Sequence, residues 1–131
     1  MIQRAGQRVK LGATWANTPS TAAKDADIVL TMVFGPKQIE KVVHGENGLL
    51  SAMGLGQIWV DMTTNQPSLA KKLASAIAAT GAQAIDAPVT GAIDGVRIGN
   101  MSKFAGGYEE AVKRIHPVME LMGPLYYMGT D

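Results

Sequence analysis

Three strand-length runs, each followed by a helix or turn signal, constrain this chain more than anything else in it. Residues 27–33 read DIVLTMV, 57–62 QIWVDM and 83–89 QAIDAPV. The first is a continuous apolar run, as expected of a parallel strand buried on both faces. Helix patterns stand between the runs. Pro36 opens one with Ile39, Val42 and Val43 on one side and Lys37, Glu40 and Lys41 on the other. Pro67 opens the clearest, with Leu69, Leu73, Ile77 and the alanines at 70, 74 and 76 in one stripe, Lys71, Lys72 and Ser75 opposite, and Gly81 as its cap. Strands alternating with helices predict an α/β fold, a mostly parallel sheet with helices on both faces. Ligands of such sheets lie beyond the carboxyl ends of the strands. The turns after Val33, Asp61 and Val89 therefore share one edge.

The remaining segments complete this pattern. Residues 1–9 read as the end of a helix, with Ala5-Gly6 resembling a C-terminal cap. Thr18-Pro19 is a helix start, Thr as N-cap and Pro in the first position, for a short helix ending near Ala23-Lys24. Residues 49–53 suit one helical turn, and 101–105 a strand. Residues 108–122 read as a helix with Ala111, Ile115, Val118, Met119 and Met122 toward the core, kinked or restarted at Pro117. A last strand covers 125–128.

Composition narrows the class. At 131 residues, 47% hydrophobic and 18% charged, the chain is globular, one domain with a modest core. Net charge is +1 with no Lys/Arg cluster, which gives no electrostatic reason for a nucleic-acid partner. The absence of cysteine excludes disulfides and thiolate metal sites and fits a reducing compartment. No apolar run approaches the ~20 residues that cross a bilayer, and the N-terminus lacks a signal peptide's apolar stretch. A cytoplasmic protein is the expectation, with no membrane partner. No metal-ligand spacing and no nucleophile–base set is present.

Residues 86–107, DAPVTGAIDGVRIGNMSKFAGG, carry the densest signal. Pro88 marks a strand end. Thr90 supplies a hydroxyl, and the amides after it can form an anion nest. The same residues also suit a plain tight turn between strands. The DAPVTGA segment with its later MSKFAGG strand resembles the substrate-side loop of the 3-hydroxyisobutyrate dehydrogenase family (the β-hydroxyacid dehydrogenases). Two upstream blocks, VDMTTNQP at 60–67 and DADIVLTM at 25–32, resemble the same family in the same order. The resemblance runs through nearly the whole chain, which covers less than half of such an enzyme. It implies an incomplete Rossmann-like, doubly wound domain that binds NAD or NADP and acts on a small hydroxyacid.

Residue by residue, the resemblance places Val33 and Phe34 at the family's Leu-Pro pair beside the nicotinamide. Gln38 falls on a polar cofactor contact, and Thr64 on a cofactor-contacting Thr. An N-cap pair before the Pro67 helix is the other reading of Thr63-Thr64. Thr90, Gly91 and Ala92 fall on the family's Ser-Gly-Gly, which implies that Thr90 and the Gly91 amide bind the substrate carboxylate. Ala92 adds a methyl where the family has Gly. The family's catalytic Lys lies on a helix beyond residue 131, so no catalytic residue is assigned in this chain. Lys71 and Lys72 suit a solvated helix face, and Lys103 an exposed strand face or edge. His44 and His116 read as surface residues without a carboxylate partner, Asp94 as loop-exposed. Asp86 reads as structural, accepting amides from the Gly loop.

No G-x-G-x-x-G occurs in the sequence. In the family a strand and most of a helix, with the ribose-reading residue, stand where Lys10–Thr14 follow directly here. That join is an internal deletion or a native short turn. The expectation is a truncated domain over 1–131, without the family's C-terminal helical domain, that binds NAD(P) poorly alone and lacks dehydrogenase activity. The alternative is a non-catalytic module forming a homo-oligomer through an uncovered sheet edge.

Overall fold

Helix α1 (Ile2–Lys10) runs straight through Ala5-Gly6. The cap expected there is corrected: the chain leaves the helix at Gly12, whose φ of +101° suits only glycine, with the Gly12 amide donating to the Val9 carbonyl at 3.0 Å. The computed structural model describes residues 2–130, with side chains described there except at 2–4 and 92. Thr18 caps α2 (Pro19–Ala23) as expected, its hydroxyl accepting from the Thr21 amide at 3.1 Å. Strand β1 (Ile28–Thr31), helix α3 (Pro36–His44) and a 3-10 turn at Leu49–Ser51 follow. Then come β2 (Ile58–Asp61), α4 (Pro67–Ala78) and β3 (Gln83–Asp86).

The expected strand over 83–89 is interrupted. Ala87 and Pro88 break it, because Pro has no amide to give the ladder, and β4 (Val89–Thr90) resumes beyond. The Gly-rich stretch is not all loop: α5 (Ala92–Arg97) forms within it, entered through Gly91 at φ +110°. Strand β5 (Ser102–Gly106), helix α6 (Glu109–Met119) with Pro117 inside it, a 3-10 turn at Glu120–Met122 and β6 (Leu125–Gly129) complete the order.

The strands form one six-stranded mixed sheet of Rossmann-like type, mostly parallel, with helices on both faces. β1, β2 and β3 are parallel neighbours, with Ile58 opposite Ile28 and Gln83 opposite Ile58. β5 runs antiparallel to β3 and β4, and β6 is parallel to β5. Alternation along the strands separates two cores. One face carries Ile58, Val60, Ile85, Met101 and Ala105 against Ala111, Val112, Ile115 and Met119 of α6. The other carries Val29 and Trp59 against Ala23 of α2, Ile39 and Val43 of α3, and Leu73 and Ile77 of α4.

Three burial expectations are corrected. β1 is not buried on both faces: Leu30 and Met32 are 37% and 55% exposed, because β1 is the sheet's edge and α6 lies over β3 and β5 rather than over it. Val118 is exposed and Val112 buried, since 111, 112, 115 and 119 form the helix row that meets the sheet. Lys103 is not at an exposed face: it is 0% exposed, its Nζ donating to the Met101 and Gly123 carbonyls at 2.7 and 2.8 Å. Burial lowers its pKa from the usual lysine value.

Candidate functional site

The carboxyl ends of β1, β2 and β3 bring Thr31, Asp61 and Asp86 into one row on the sheet face that α4 covers. Asp61 is the hub. It is 2% exposed, and one carboxylate oxygen, Oδ1, accepts from the Thr31 hydroxyl at 2.8 Å and the Thr63 amide at 3.1 Å. The other, Oδ2, accepts from Asn65 Nδ2 at 2.9 Å. The Thr31 hydroxyl in turn accepts from the buried Trp59 indole at 3.0 Å. Such charge-assisted bonds in a dry setting are the strong ones.

This hub joins two of the three turns. Thr63 Oγ1 accepts from the Val33 amide at 3.1 Å, so the chain leaving β1 is tied to the chain leaving β2. The N-cap reading of Thr63-Thr64 does not hold, because Gln66 occupies the cap position of α4. Thr63 is buried and works inward, whereas Thr64 beside it is exposed. Val33 is half-buried, while Phe34 and Gln38 are exposed at the same end of the sheet. The Gln38 side chain folds back over the turn, its Oε1 3.7 Å from where a Cβ on Gly35 would sit. Exposed polar and aromatic groups on a hydrogen-bonded frame suit contact with a ligand.

The third turn follows β4. Thr90 is exposed on β4, opposite Ser102, and Gly91 is the exposed N-cap of α5. Ala92 opens that helix, and its side chain lies outside the described residues. No hydrogen bond among the described residues links Thr90 to Val33 or Thr64. The turn is packed closely from behind, because a Cβ on Gly91 would lie 3.3 Å from the Asn100 carbonyl oxygen.

Asp86 departs from its expected role. Its carboxylate accepts no amide from the Gly loop among the described residues, and it lines a small cavity of ≈ 10 Å³ with Trp59, Asp61, Ala70, Ala74 and Ile85. Burial, and secondarily the charge of Asp61, push its pKa up to about 6. A polar residue set in the middle or C-terminal half of each of the three runs, Thr31, Asp61 and Asp86, is the sequence signal for this row.

A larger cleft of ≈ 340 Å³ lies elsewhere, between α6 and β6, lined by Glu109, Val112, Lys113, His116, Pro117 and Tyr127. None of the expected cofactor or substrate contacts lines it. The expectation that His116 lacks a carboxylate partner is corrected: Glu120, four residues on along the same helical run, lies 3.4 Å from its Nδ1. Lys71 and Lys72 are exposed as expected, the latter paired with Glu40 at 3.2 Å. No group of His, Cys, Asp and Glu among the described residues could hold a metal ion. No helix there is long and apolar enough to cross a membrane.

Comparison with known proteins agrees with this architecture. The family model described as the NAD binding domain of 6-phosphogluconate dehydrogenase matches residues 2–129. A relative in Arabidopsis thaliana, named as a probable 3-hydroxyisobutyrate dehydrogenase-like 1, mitochondrial, is 40% identical over 131 residues, 99% of this chain and 39% of that protein. The 3-hydroxyisobutyrate dehydrogenase of Pseudomonas aeruginosa is 35% identical over 123 residues, 94% of this chain and 41% of that protein. A solved structure of Psf3 in complex with NADP+ and 2-OPP superposes with a TM-score of 0.90 at 29% identity, covering 97% of this chain and 45% of that one. The chain thus spans about two fifths of the length of these curated relatives.

Proposed function

Because the chain belongs to the family of NAD-binding domains of 6-phosphogluconate dehydrogenase, we propose that its strand-end turns form the nicotinamide and substrate side of an NAD(P)-dependent β-hydroxyacid oxidoreductase. The observation that carries the reading is the hydrogen bond from the Val33 amide to Thr63 Oγ1. It ties together the turns that carry Val33, Phe34, Gln38 and Thr64, which supports the reading that these residues share one ligand, the nicotinamide half of the cofactor. NAD or NADP supplies the hydride acceptor; the residues here bind and orient it. Thr90, Gly91 and Ala92 hold the carboxylate of a small hydroxyacid through a hydroxyl and backbone amides. The proton-transferring group is not assigned to any of the 131 residues. The composition supports a cytoplasmic location.

Saturation-transfer NMR with NAD+ and NADP+ tests the reading. Transfer stronger to the nicotinamide protons than to the adenine protons is expected. Transfer centred on adenine, or none at millimolar cofactor, would sink it.

A second reading rests on the exposed edge of β1, where Leu30 and Met32 stand uncovered beside unpaired backbone groups. A second copy pairing along that edge covers them and gives a homo-oligomer. Light scattering that finds only monomer removes this reading and leaves the first intact.

A further inference from the structure

Asp61 and Asp86 face each other in register on adjacent parallel strands and line the same small cavity, but their hydrogen bonding is unequal. Three donors converge on Asp61, from Thr31, Thr63 and Asn65. No hydrogen bond to the Asp86 carboxylate exists among the described residues. An ionised Asp61 is an acceptor with its donors supplied, while a carboxylate without donors beside it carries a proton more readily.

The surroundings add no compensating charge. On β2, Asp61 is the titratable group that faces Asp86. α4 presents Ala70 and Ala74, with its Lys71 and Lys72 exposed on the outer side. β5 presents Gly106, the register partner of Asp86, and β1, one strand further, presents Thr31. Buried Lys103 belongs to the opposite face, where its Nζ is held by two carbonyls.

We propose that Asp86 is a positioning residue: protonated, it lets Asp61 hold the turns after β1 and β2 together, and ionised, it repels Asp61 and loosens them. The route is short. Asp61 Oδ1 holds the Thr63 amide, and Thr63 Oγ1 holds the Val33 amide. A second charge in the shared cavity favours turning the Asp61 carboxylate away, which weakens both links. The structural part stands on these contacts alone. Its consequence, a nicotinamide held less firmly as pH rises, rests on the function proposed above.

The experiment is a pH titration from 5 to 8 followed on the backbone amides of Val33, Thr63 and Asn65, in the wild type and in Asp86→Asn. Asn imitates the protonated carboxyl in shape and charge, so this variant is expected to fold. In the wild type the three amides shift together with a midpoint near 6, where burial and the Asp61 charge place Asp86; in Asp86→Asn the shift disappears. Carboxyl-carbon shifts of wild-type Asp86 provide a measurement independent of the variant and should show the same midpoint. Flat amides, a shift that survives in Asp86→Asn, or an Asp86 carboxyl titrating at the ordinary value of 3.8 each overturn the proposal. Titrating amides in a protein that shows no cofactor contact uphold it and count against the functional reading instead.

Discussion

Replacing Asp61 with Ala should cost about 3 kcal/mol of stability, a figure that follows from what the carboxylate leaves behind. The Thr63 amide is buried and donates to Asp61 Oδ1. Orphaning it costs about 1–3 kcal/mol. The Thr31 hydroxyl is also buried, and its oxygen is already occupied by the Trp59 indole, so its own proton loses its acceptor. That adds about 1–2 kcal/mol. Asn65 Nδ2 keeps a second acceptor, the Thr63 carbonyl at 3.4 Å, and so adds little. Removing the charge that faces Asp86 returns about 1 kcal/mol. The fold should survive, since domains are stable by about 5–15 kcal/mol. Urea unfolding followed by tryptophan emission reads the loss well, because Trp59 is 2% exposed and bonded within the same network. Asp61→Asn keeps an acceptor for Thr31 and Thr63 and should cost less than Asp61→Ala. The Asp86 pKa should stay above its ordinary value in either variant, because burial rather than Asp61 is the larger cause. A loss below about 1 kcal/mol in Asp61→Ala, or equal losses in the two variants, would refute the hub.

Other outcomes follow from single positions. Asp86 binds its proton more tightly folded than unfolded, so the stability it contributes is complete below pH 3.8 and lost as pH rises through about 6. Full conversion of that shift gives about 3 kcal/mol, and solvent screening at a half-buried carboxyl reduces it to about 1–2 kcal/mol; about half of this is already lost at pH 5, so stabilities from urea unfolding at pH 5 and pH 8 should differ by about 0.5–1 kcal/mol, and Asp86→Asn should flatten the difference. Lys103 is shifted the other way: burial lowers its pKa, so the unfolded chain binds its proton more tightly and stability rises with pH toward 10.5. Lys103→Met should remove that alkaline rise in thermal melts. Gly123→Ala combines a φ of +125° with a Cβ placed 2.5 Å from the Met101 amide nitrogen, and should cost about 2–4 kcal/mol by urea unfolding.

Much of this architecture is written in local sequence. The Thr18-Pro19 and Pro67 helix starts and the helical stripe of α4 form as expected, and each of the three strand runs contains a strand, the third cut short before Ala87-Pro88. Local patterns failed where neighbours decide. The run at 27–33 is apolar enough for a central strand, yet nothing in it says that β1 is an edge. A lysine in a strand is normally at the surface, and Lys103 is buried because two carbonyls, one of them 20 residues away, happen to meet its ammonium. α5 hides in a stretch where three glycines argue for loop. The site divides the same way. Thr64, Gln38 and Phe34 are exposed at the expected end of the sheet, as the proposed cofactor contacts require. The frame behind them, Thr31, Asp61, Thr63 and Asn65, depends on a bond between turns 30 residues apart, which no local window contains.

The most direct test of the account is amide shift mapping with nicotinamide mononucleotide added to the protein. Perturbations clustered at Val33, Phe34 and Thr64, with Gln38 beside them, are predicted. Perturbations clustered instead at Glu109, His116 and Tyr127, in the larger cleft between α6 and β6, would contradict it.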